Sequence, residues 1–310
     1  MELTGMTLTS GFIYTPPPPE NTAGWWAGGY LSPTYSRTST VQRITFATDT
    51  AIASVRGPLT GIKTDLGAAS DFTNGWFAGG NGPGGGSVVD RITYATDTAT
   101  ASVRGPLSSA RSYAAAAGNT TAGWFGGGDP ETSRVDRITY ATDTATASVR
   151  GPLSLARRAL AAVGDSDYGW FGGGYGPYQS PYFSTVDRIT YATDTATASV
   201  RGPLSVATMR LAAAGNTTAG WFGGGQGPLS TVQRITYATD TATASVRGPL
   251  SAAKYFQAAA SNFTDAWFGG GNGPVSTVNR ITFATDTATA SVRGPLSADS
   301  RRVGAAGGIQ

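Results

Sequence analysis

The sequence predicts an all-β chain built from six copies of one four-stranded unit. Two markers alternate along it, six times each: an Arg-Ile-Thr string followed by Tyr or Phe, and a Trp-Phe or Trp-Trp pair followed closely by Gly-Gly. The first marker begins at Arg43, Arg91, Arg137, Arg188, Arg234 and Arg280. The intervals are 46 to 51 residues, and no segment keeps a 3.6-residue apolar period. A repeat of this length without helical periodicity is typical of the blades of a β-propeller.

One complete repeat shows the order of the predicted strands. A small-residue run over 112–117 predicts the innermost strand, where only Ala and Gly allow close approach around an axis. The second strand, over 122–127, carries Trp124 and Phe125, which supply the large apolar surface between blades. β-Branched and aromatic residues predict a third strand over 134–140. The fourth, over 144–150, stops at Gly151-Pro152.

The two ends of the repeat region predict how the ring closes. The region begins with a second strand over 23–29 and finishes with a lone first strand over 301–307. Pairing these two strands in one composite blade removes the open sheet edges. We therefore predict a single six-bladed propeller over residues 21–310, whose four-stranded antiparallel blades are closed by the terminal strands. Residues 1–20, with the prolines at 16–19, are expected to form an extended arm.

Composition excludes several function classes. The chain has 0 His and 0 Cys, so it lacks thiolate and imidazole metal ligands, a Cys nucleophile and a Ser-His-Asp triad. We therefore predict no enzymatic activity, no metal and no cofactor. The net charge of +3 is small for nucleic-acid binding, and no run approaches 18 apolar residues. The start lacks the basic and apolar regions of a secretory signal, so no signal peptide is expected.

The order of markers in each repeat resembles the kelch type of β-propeller. That pattern has Arg near the start of the first strand, Gly-Gly at the end of the second and Tyr at the end of the third. Arg111, Gly127-Gly128 and Tyr140 reproduce this order. One departure is that small residues such as Ala147 stand where the kelch fourth strand has Trp. The resemblance, over about residues 21–307, implies that blade packing depends on the second-strand Trp.

The amino-acid sequence of the repeat also resembles repeats in virion structural and tail-fibre-type proteins of tailed phages from marine bacteria. Residues 184–205 carry the string in full, from Ser-Thr-Val-Asp-Arg-Ile-Thr-Tyr to Val-Arg-Gly-Pro-Leu-Ser. This resemblance implies a component of the virion surface, on a tail fibre or the capsid. Its partners would be other virion proteins and a host surface glycan or protein, without membrane insertion.

Comparison of the six copies with each other separates constant from variable positions. The third and fourth strands barely change, whereas three adjacent columns at the start of the innermost strand and the loop between the second and third strands do. In an up-and-down blade both variable windows emerge on one face, around the channel mouth. The candidate ligand-binding residues on this face are Lys63, Arg111, Tyr113, Arg157, Arg158, Tyr178, Tyr182, Phe183, Arg210, Lys254, Tyr255, Phe256, Arg301 and Arg302.

These candidates are mostly basic and aromatic. Arg and aromatic residues are enriched at binding hot spots, so a basic, aromatic-lined mouth suits an acidic glycan or an acidic protein surface. The alternative is that loops simply vary faster than strands. A sialidase-like, glycan-processing activity would use Arg, Tyr and a carboxylate here, but the Ser-x-Asp-x-Gly-x-Thr-Trp boxes of that family are absent.

Constant Arg and Asp residues form a second periodic set. Each repeat carries the Arg of the first marker, an Asp six residues later and another Arg before Gly-Pro. A ring of Arg could bind anions, or it could join blades through the Asp residues, and we expect the second. For the whole chain we predict a receptor-binding or surface-decorating virion module. The alternative is a purely structural spacer of the virion.

Overall fold

The computed structural model describes residues 21–177, 182–227, 229–272 and 276–307. Six four-stranded antiparallel sheets stand side by side, and their innermost strands surround a central channel. The chain is therefore a six-bladed β-propeller, as predicted. Within the described ranges no helix is long and apolar enough to cross a membrane. The predicted arm, residues 1–20 with its prolines, lies outside the described residues.

The blades are numbered from the N terminus, with the strands of each given from the channel outward. Blade 1 contains Gly304–Ala306, Ala23–Ala27, Val41–Thr45 and Ser54–Arg56; blade 2 contains Gly67–Ser70, Asn74–Ala78, Val89–Thr93 and Ser102–Arg104; blade 3 contains Ala115–Gly118, Ala122–Gly126, Val135–Thr139 and Ser148–Arg150. Blade 4 contains Ala161–Gly164, Tyr168–Gly172, Val186–Thr190 and Ser199–Arg201; blade 5 contains Ala212–Gly215, Ala219–Gly223, Val232–Thr236 and Ser245–Arg247; blade 6 contains Gln257–Ser261, Asp265–Gly270, Val278–Thr282 and Ser291–Arg293.

The ring closes through the two ends of the chain. In blade 1, Trp25 stands opposite Ala306 and Ala27 opposite Gly304 in an antiparallel register. This pairing confirms the predicted composite blade. The sequence did not predict a further three-stranded ribbon beside it, formed by Ser300–Arg301, Tyr30–Leu31 and Ser36–Arg37.

Several predicted strand boundaries differ from the structure, and two of them do so for a clear local reason. The innermost strand of blade 3 begins at Ala115 and not at 112, because Tyr113 adopts a left-handed backbone with φ of 56°. Its outermost strand begins at Ser148 and not at 144, because the chain first makes a 3₁₀ turn. Equivalent 3₁₀ turns follow every third strand, at Phe46–Thr48, Tyr94–Thr96, Tyr140–Thr142, Tyr191–Thr193, Tyr237–Thr239 and Phe283–Thr285.

The hydrophobic core lies between adjacent blades. Trp124 of blade 3 stacks on Tyr191 of blade 4 with ring centroids 3.8 Å apart, and Phe171 is fully buried in the same cluster. Each neighbouring pair of blades has one such stack: Trp25–Tyr94, Trp76–Tyr140, Trp124–Tyr191, Trp170–Tyr237, Trp221–Phe283 and Trp267–Phe46. The second-strand Trp therefore provides the blade contacts that the missing fourth-strand Trp cannot.

A buried Asp joins each blade to the preceding one. Asp143 of blade 3 accepts a hydrogen bond from Trp76 Nε1 at 2.8 Å and one from the Arg91 guanidinium at 3.0 Å. The Arg104 Nε lies 3.4 Å from the same oxygen. The pattern recurs at Asp49, Asp97, Asp194, Asp240 and Asp286. This confirms the prediction that the periodic Arg residues join blades, and we call these clusters the inter-blade joints.

Close backbone packing accompanies each joint. The amide of Gly105 donates a 2.8 Å hydrogen bond to the Asp143 carbonyl of the next blade. A Cβ on Gly105 would overlap the carbonyl oxygen of Ala145. The Arg-Gly-Pro glycine is therefore required by close approach, and it keeps the blades at one spacing around the ring.

Candidate binding face at the channel mouth

The three adjacent variable columns predicted at the mouth occupy different environments. In the first column, Lys63, Arg111, Arg157 and Lys254 are 0 to 3% exposed. These four residues lie inside their blades, so the expectation that they line the mouth is wrong for them. Their charged groups reach back to the third strand instead of forward to solvent.

The first column varies together with a buried position on the third strand. Where the column carries Lys or Arg, the third strand carries Asp, and the ion pairs are Lys63–Asp90, Arg111–Asp136 and Arg157–Asp187 at 2.8 to 2.9 Å. Where the column carries Ser or Thr, the third strand carries Gln: Gln42 Nε2 donates to Ser300 Oγ at 3.1 Å, and Thr208 shares blade 5 with Gln233. This variation therefore balances buried charge.

Lys254 departs from that pattern. Its third-strand counterpart in blade 6 is the neutral Asn279, and its ammonium group donates to the Thr277 carbonyl at 3.0 Å. No carboxylate among the described residues lies within 4 Å of it. Burial lowers the pKa of Lys254 to about 8.

The third column forms a ring of strained residues around the channel. All six members have left-handed backbones, with φ between 56° and 63°. They are Asp65, Tyr113, Ala159, Arg210, Phe256 and Arg302, which we call the mouth ring. Each amide donates to the carbonyl of the ring member in the preceding blade at 2.7 to 3.1 Å, so six hydrogen bonds form a closed circle.

The composition of the mouth ring contrasts with its uniform backbone. Left-handed geometry costs a non-glycine residue about 1 kcal/mol or more, and Gly, Asn or Asp is the usual choice. The chain contains 44 Gly, yet Asp65 is the one member of the mouth ring that belongs to these three residue types. Five of the six carry a charged or aromatic side chain. The sequence therefore keeps large side chains at the channel mouth despite the strain.

These side chains contact each other over the channel. The guanidinium carbons of Arg210 and Arg302 lie 4.4 and 4.2 Å from the centroid of the Phe256 ring. Arg302 also contacts the Tyr113 hydroxyl and lies 3.4 Å from Asp65. Burial raises the pKa of Tyr113 to about 12, and burial also raises the pKa of Asp65 against the opposing charge of Arg302.

The second column and the residues after Gly-Gly form an outer ring around the first. Their backbones pair in every blade: Thr64 with Asn81, Ser112 with Asp129, Arg158 with Tyr175, Met209 with Gln226, Tyr255 with Asn272 and Arg301 with Tyr30. We call these twelve residues the outer ring, and the two rings together the mouth face. The outer-ring positions after Gly-Gly were not among the predicted site residues, although their variation among the copies was visible in the sequence.

The predicted arginines of the outer ring are already engaged. Arg158 contacts Asp129 and Tyr175, and its Nε lies 3.1 Å from Glu131. Arg301 donates to Asn272 at 2.9 Å and lies over the ring of Tyr35 at 4.4 Å. The first arginine is therefore charge-balanced, and the second is held among neutral partners.

The remaining predicted aromatic residues lie at or beside the same face. Tyr255 contacts Asn272 and packs against Phe256 with ring centroids 5.2 Å apart. Tyr182 is 38% exposed, and Phe183 is partly buried, with its backbone paired to Gly174. Tyr178 lies outside the described residues.

The volume available at the mouth is small. The channel is a cavity of about 190 Å³ lined by the Ala-rich innermost strands, and the space within the mouth ring is about 80 Å³. The opposite face carries wider inter-blade grooves of about 510 and 550 Å³, lined by constant-type residues such as Trp124, Arg137, Trp221 and Arg234. The mouth can therefore accept an ion-sized group, with larger parts of a ligand lying on the rings.

The chemistry offered by the mouth face is hydrogen bonding, ion pairing and aromatic stacking. No group of three or more acidic residues suited to a metal ion occurs within the described ranges. Comparison with known proteins finds no matching family model and no matching curated protein.

Proposed function

We propose that this chain is a non-enzymatic binding module and that its ligand surface is the mouth face. The observation that carries the proposal is the mouth ring. All six of its residues have the same left-handed backbone conformation, and five of them have charged or aromatic side chains. Backbone strain retained at a cost points to a use for the side chains. Three of the four charged first-column residues, by contrast, form internal ion pairs, so their variation follows buried charge and not the drift of a loop.

The proposed setting is the surface of a virion, on a tail fibre or the capsid. It is supported by the amino-acid sequence of the repeat, which resembles that of repeats in phage virion proteins. The kelch-like order of markers agrees with an interaction module. A rigid ring presenting one variable face suits recognition of a host glycan or surface protein. The non-enzymatic assignment is supported by the absence of His and Cys from the sequence.

Binding of the purified chain to a glycan array and to host cells tests this proposal. The variant Tyr113→Ala, Arg158→Ala, Arg210→Ala, Tyr255→Ala should lose at least tenfold in affinity and keep its circular dichroism. The matched control is Thr142→Ala, Thr193→Ala, Thr239→Ala, at exposed positions on the opposite face, and it should bind normally. Equal binding by both variants would overturn the site, and bound glycans recovered with altered mass would overturn the non-enzymatic assignment.

A purely structural role in the virion is a second candidate, and one observation favours it. The outermost strands expose the same residue in every blade, 55 to 60% accessible: Val55, Val103, Val149, Val200, Val246 and Val292. Exposed apolar residues on sheet edges suit contact with other proteins. Mass spectrometry of purified virions with a whole-particle density map separates the roles, because a mouth face buried against another virion protein cannot bind a receptor.

A further inference from the structure

We propose that Arg210 and Arg302 form an anion clamp over the channel mouth that holds the carboxylate or sulfate group of an acidic saccharide. This inference rests on the proposed function, because it assigns a ligand class to the mouth face. Several basic residues were predicted for that face, and all but these two are excluded by their position in the structure or by a neighbouring carboxylate.

The other basic candidates are excluded one group at a time. The four first-column residues are buried inside their blades. Arg158 lies against two carboxylates, Asp129 and Glu131, so its charge is balanced. Arg301 belongs to the outer ring and is held by Asn272 and Tyr35. Only Arg210 and Arg302 therefore project from the mouth ring itself.

The clamp has an excess of positive charge. Arg210 donates to Gln226 Oε1 at 2.6 Å, and within the described ranges no carboxylate lies within 4 Å of it. Asp65, at 3.4 Å from Arg302, is the one carboxylate beside the pair in those ranges. Burial lowers the pKa of Arg210, and the charge of Arg302 acts in the same direction. An anion bound beside the two guanidinium groups would offset this repulsion.

The geometry of the clamp is fixed before a ligand arrives. Phe256 lies against both guanidinium groups, and it is 7% exposed. Because the backbones of all three residues belong to the closed hydrogen-bond ring, their Cα positions are set by the propeller. Preorganised donors bind an anion with less loss of side-chain entropy than free surface arginines.

The surroundings favour a saccharide as the carrier of the anion. The 80 Å³ of space within the mouth ring is on the order of two to three water molecules, which fits a carboxylate or sulfate group. Tyr113 contacts Arg302, and Tyr255 packs against Phe256, which lies against Arg210. Rigid aromatic rings offer flat apolar area together with a polar hydroxyl, which suits a sugar ring lying above the bound anion.

Isothermal titration calorimetry at low ionic strength tests the clamp with defined probes. Sodium glucuronate and glucose 6-sulfate supply the two anions, neutral glucose is the uncharged comparison, and polyglutamate represents an acidic protein surface. The chain should bind both acidic sugars and not glucose, and the affinity should fall as salt is added. The variant Arg210→Gln, Arg302→Gln should lose at least tenfold in affinity, whereas the matched control Arg134→Gln, at an exposed arginine outside both rings, should bind normally.

Several results would overturn the clamp. Failure of both acidic sugars to bind, or equal binding of them by the unmodified chain and by the Arg210→Gln, Arg302→Gln variant, would do so. Equal weakening by Arg134→Gln would indicate bulk electrostatic attraction, and binding of polyglutamate alone would indicate a protein ligand. A neutral glycan that binds on the array and depends on Tyr113 and Tyr255 would overturn the clamp while leaving the proposed function in place.

Discussion

The inter-blade joints and the mouth face are both repeated six times, yet they differ in what the repeats hold constant. Every joint has the same Asp, the same Trp and the same pair of Arg residues at nearly equal distances. At the mouth ring the backbone is equally constant, but the side chains range from Ala to Arg and Phe. The difference separates a structural demand, which each blade meets identically, from a surface that each blade supplies differently.

The largest effect on stability is expected from a substitution that removes the Asp of an inter-blade joint. Asp143→Ala leaves Trp76 Nε1 and the Arg91 guanidinium without their acceptor in a largely buried site, so the free energy of unfolding should fall by about 3 to 5 kcal/mol. Urea denaturation measures the loss. Asp240→Ala is the matched variant in another blade and should cost the same within error. Unequal costs would show that the joints are not equivalent.

The next largest effect on stability is expected in the first column. Its residues vary among the blades, as those of the mouth ring do, but they are buried like the residues of the inter-blade joints. Lys63→Thr leaves Asp90 buried and unpaired, and should lower the free energy of unfolding by about 3 kcal/mol. Adding Asp90→Gln copies the Thr208 and Gln233 pair of blade 5 and should restore stability to within about 1 kcal/mol. Costs that simply add in the double variant would contradict the charge-balance explanation.

A smaller effect distinguishes Lys254 from its paired counterparts. Its pKa falls to about 8 in the folded chain against 10.5 for the unperturbed group, so between these values the unfolded chain holds the extra proton. The free energy of unfolding should therefore rise with pH over this interval, by about 1 to 3 kcal/mol. Comparison with Lys254→Met in pH-dependent urea denaturation isolates the contribution. A difference between the two proteins that stays flat from pH 8 to 10.5 would contradict it.

The smallest expected effect is a gain in stability from a substitution by glycine, which usually lowers stability. Ala159 has a φ of 56°, so Ala159→Gly relieves left-handed strain and should stabilise the chain by about 1 kcal/mol. The control Ala162→Gly, in the innermost strand of the same blade, should destabilise by about 0.5 to 1 kcal/mol. Thermal denaturation of both variants gives the comparison, and a loss of stability in both would argue against strain at the mouth ring.

The sequence predicted the fold well because the fold depends on constant residues. The repeated Trp, Gly-Gly and Arg-Ile-Thr markers gave the number of blades, and the incomplete end repeats gave the closure through Ala306 and Trp25. The joints were also predictable, since Arg and Asp recur at fixed spacing and opposite charges in one period are expected to pair.

The mouth was predicted only in part, for two physical reasons. Left-handed backbone is normally signalled by Gly or Asn, and residues such as Tyr113 and Phe256 carry no such signal. The burial of Lys63 and Arg157 was missed because charged residues beside a loop are usually exposed. A signal did exist, since Lys or Arg in the first column goes with Asp on the third strand in three blades.

We propose that the side chains of the mouth ring serve binding and not stability. This claim is tested most directly by measuring both properties on the double variant Tyr113→Gly, Arg210→Gly. Relief of strain should offset the lost contacts, so that the free energy of unfolding changes by less than about 1 kcal/mol. Affinity for the array glycan bound by the unmodified chain should fall at least tenfold. Unchanged affinity together with a stability loss of about 3 kcal/mol would contradict the claim.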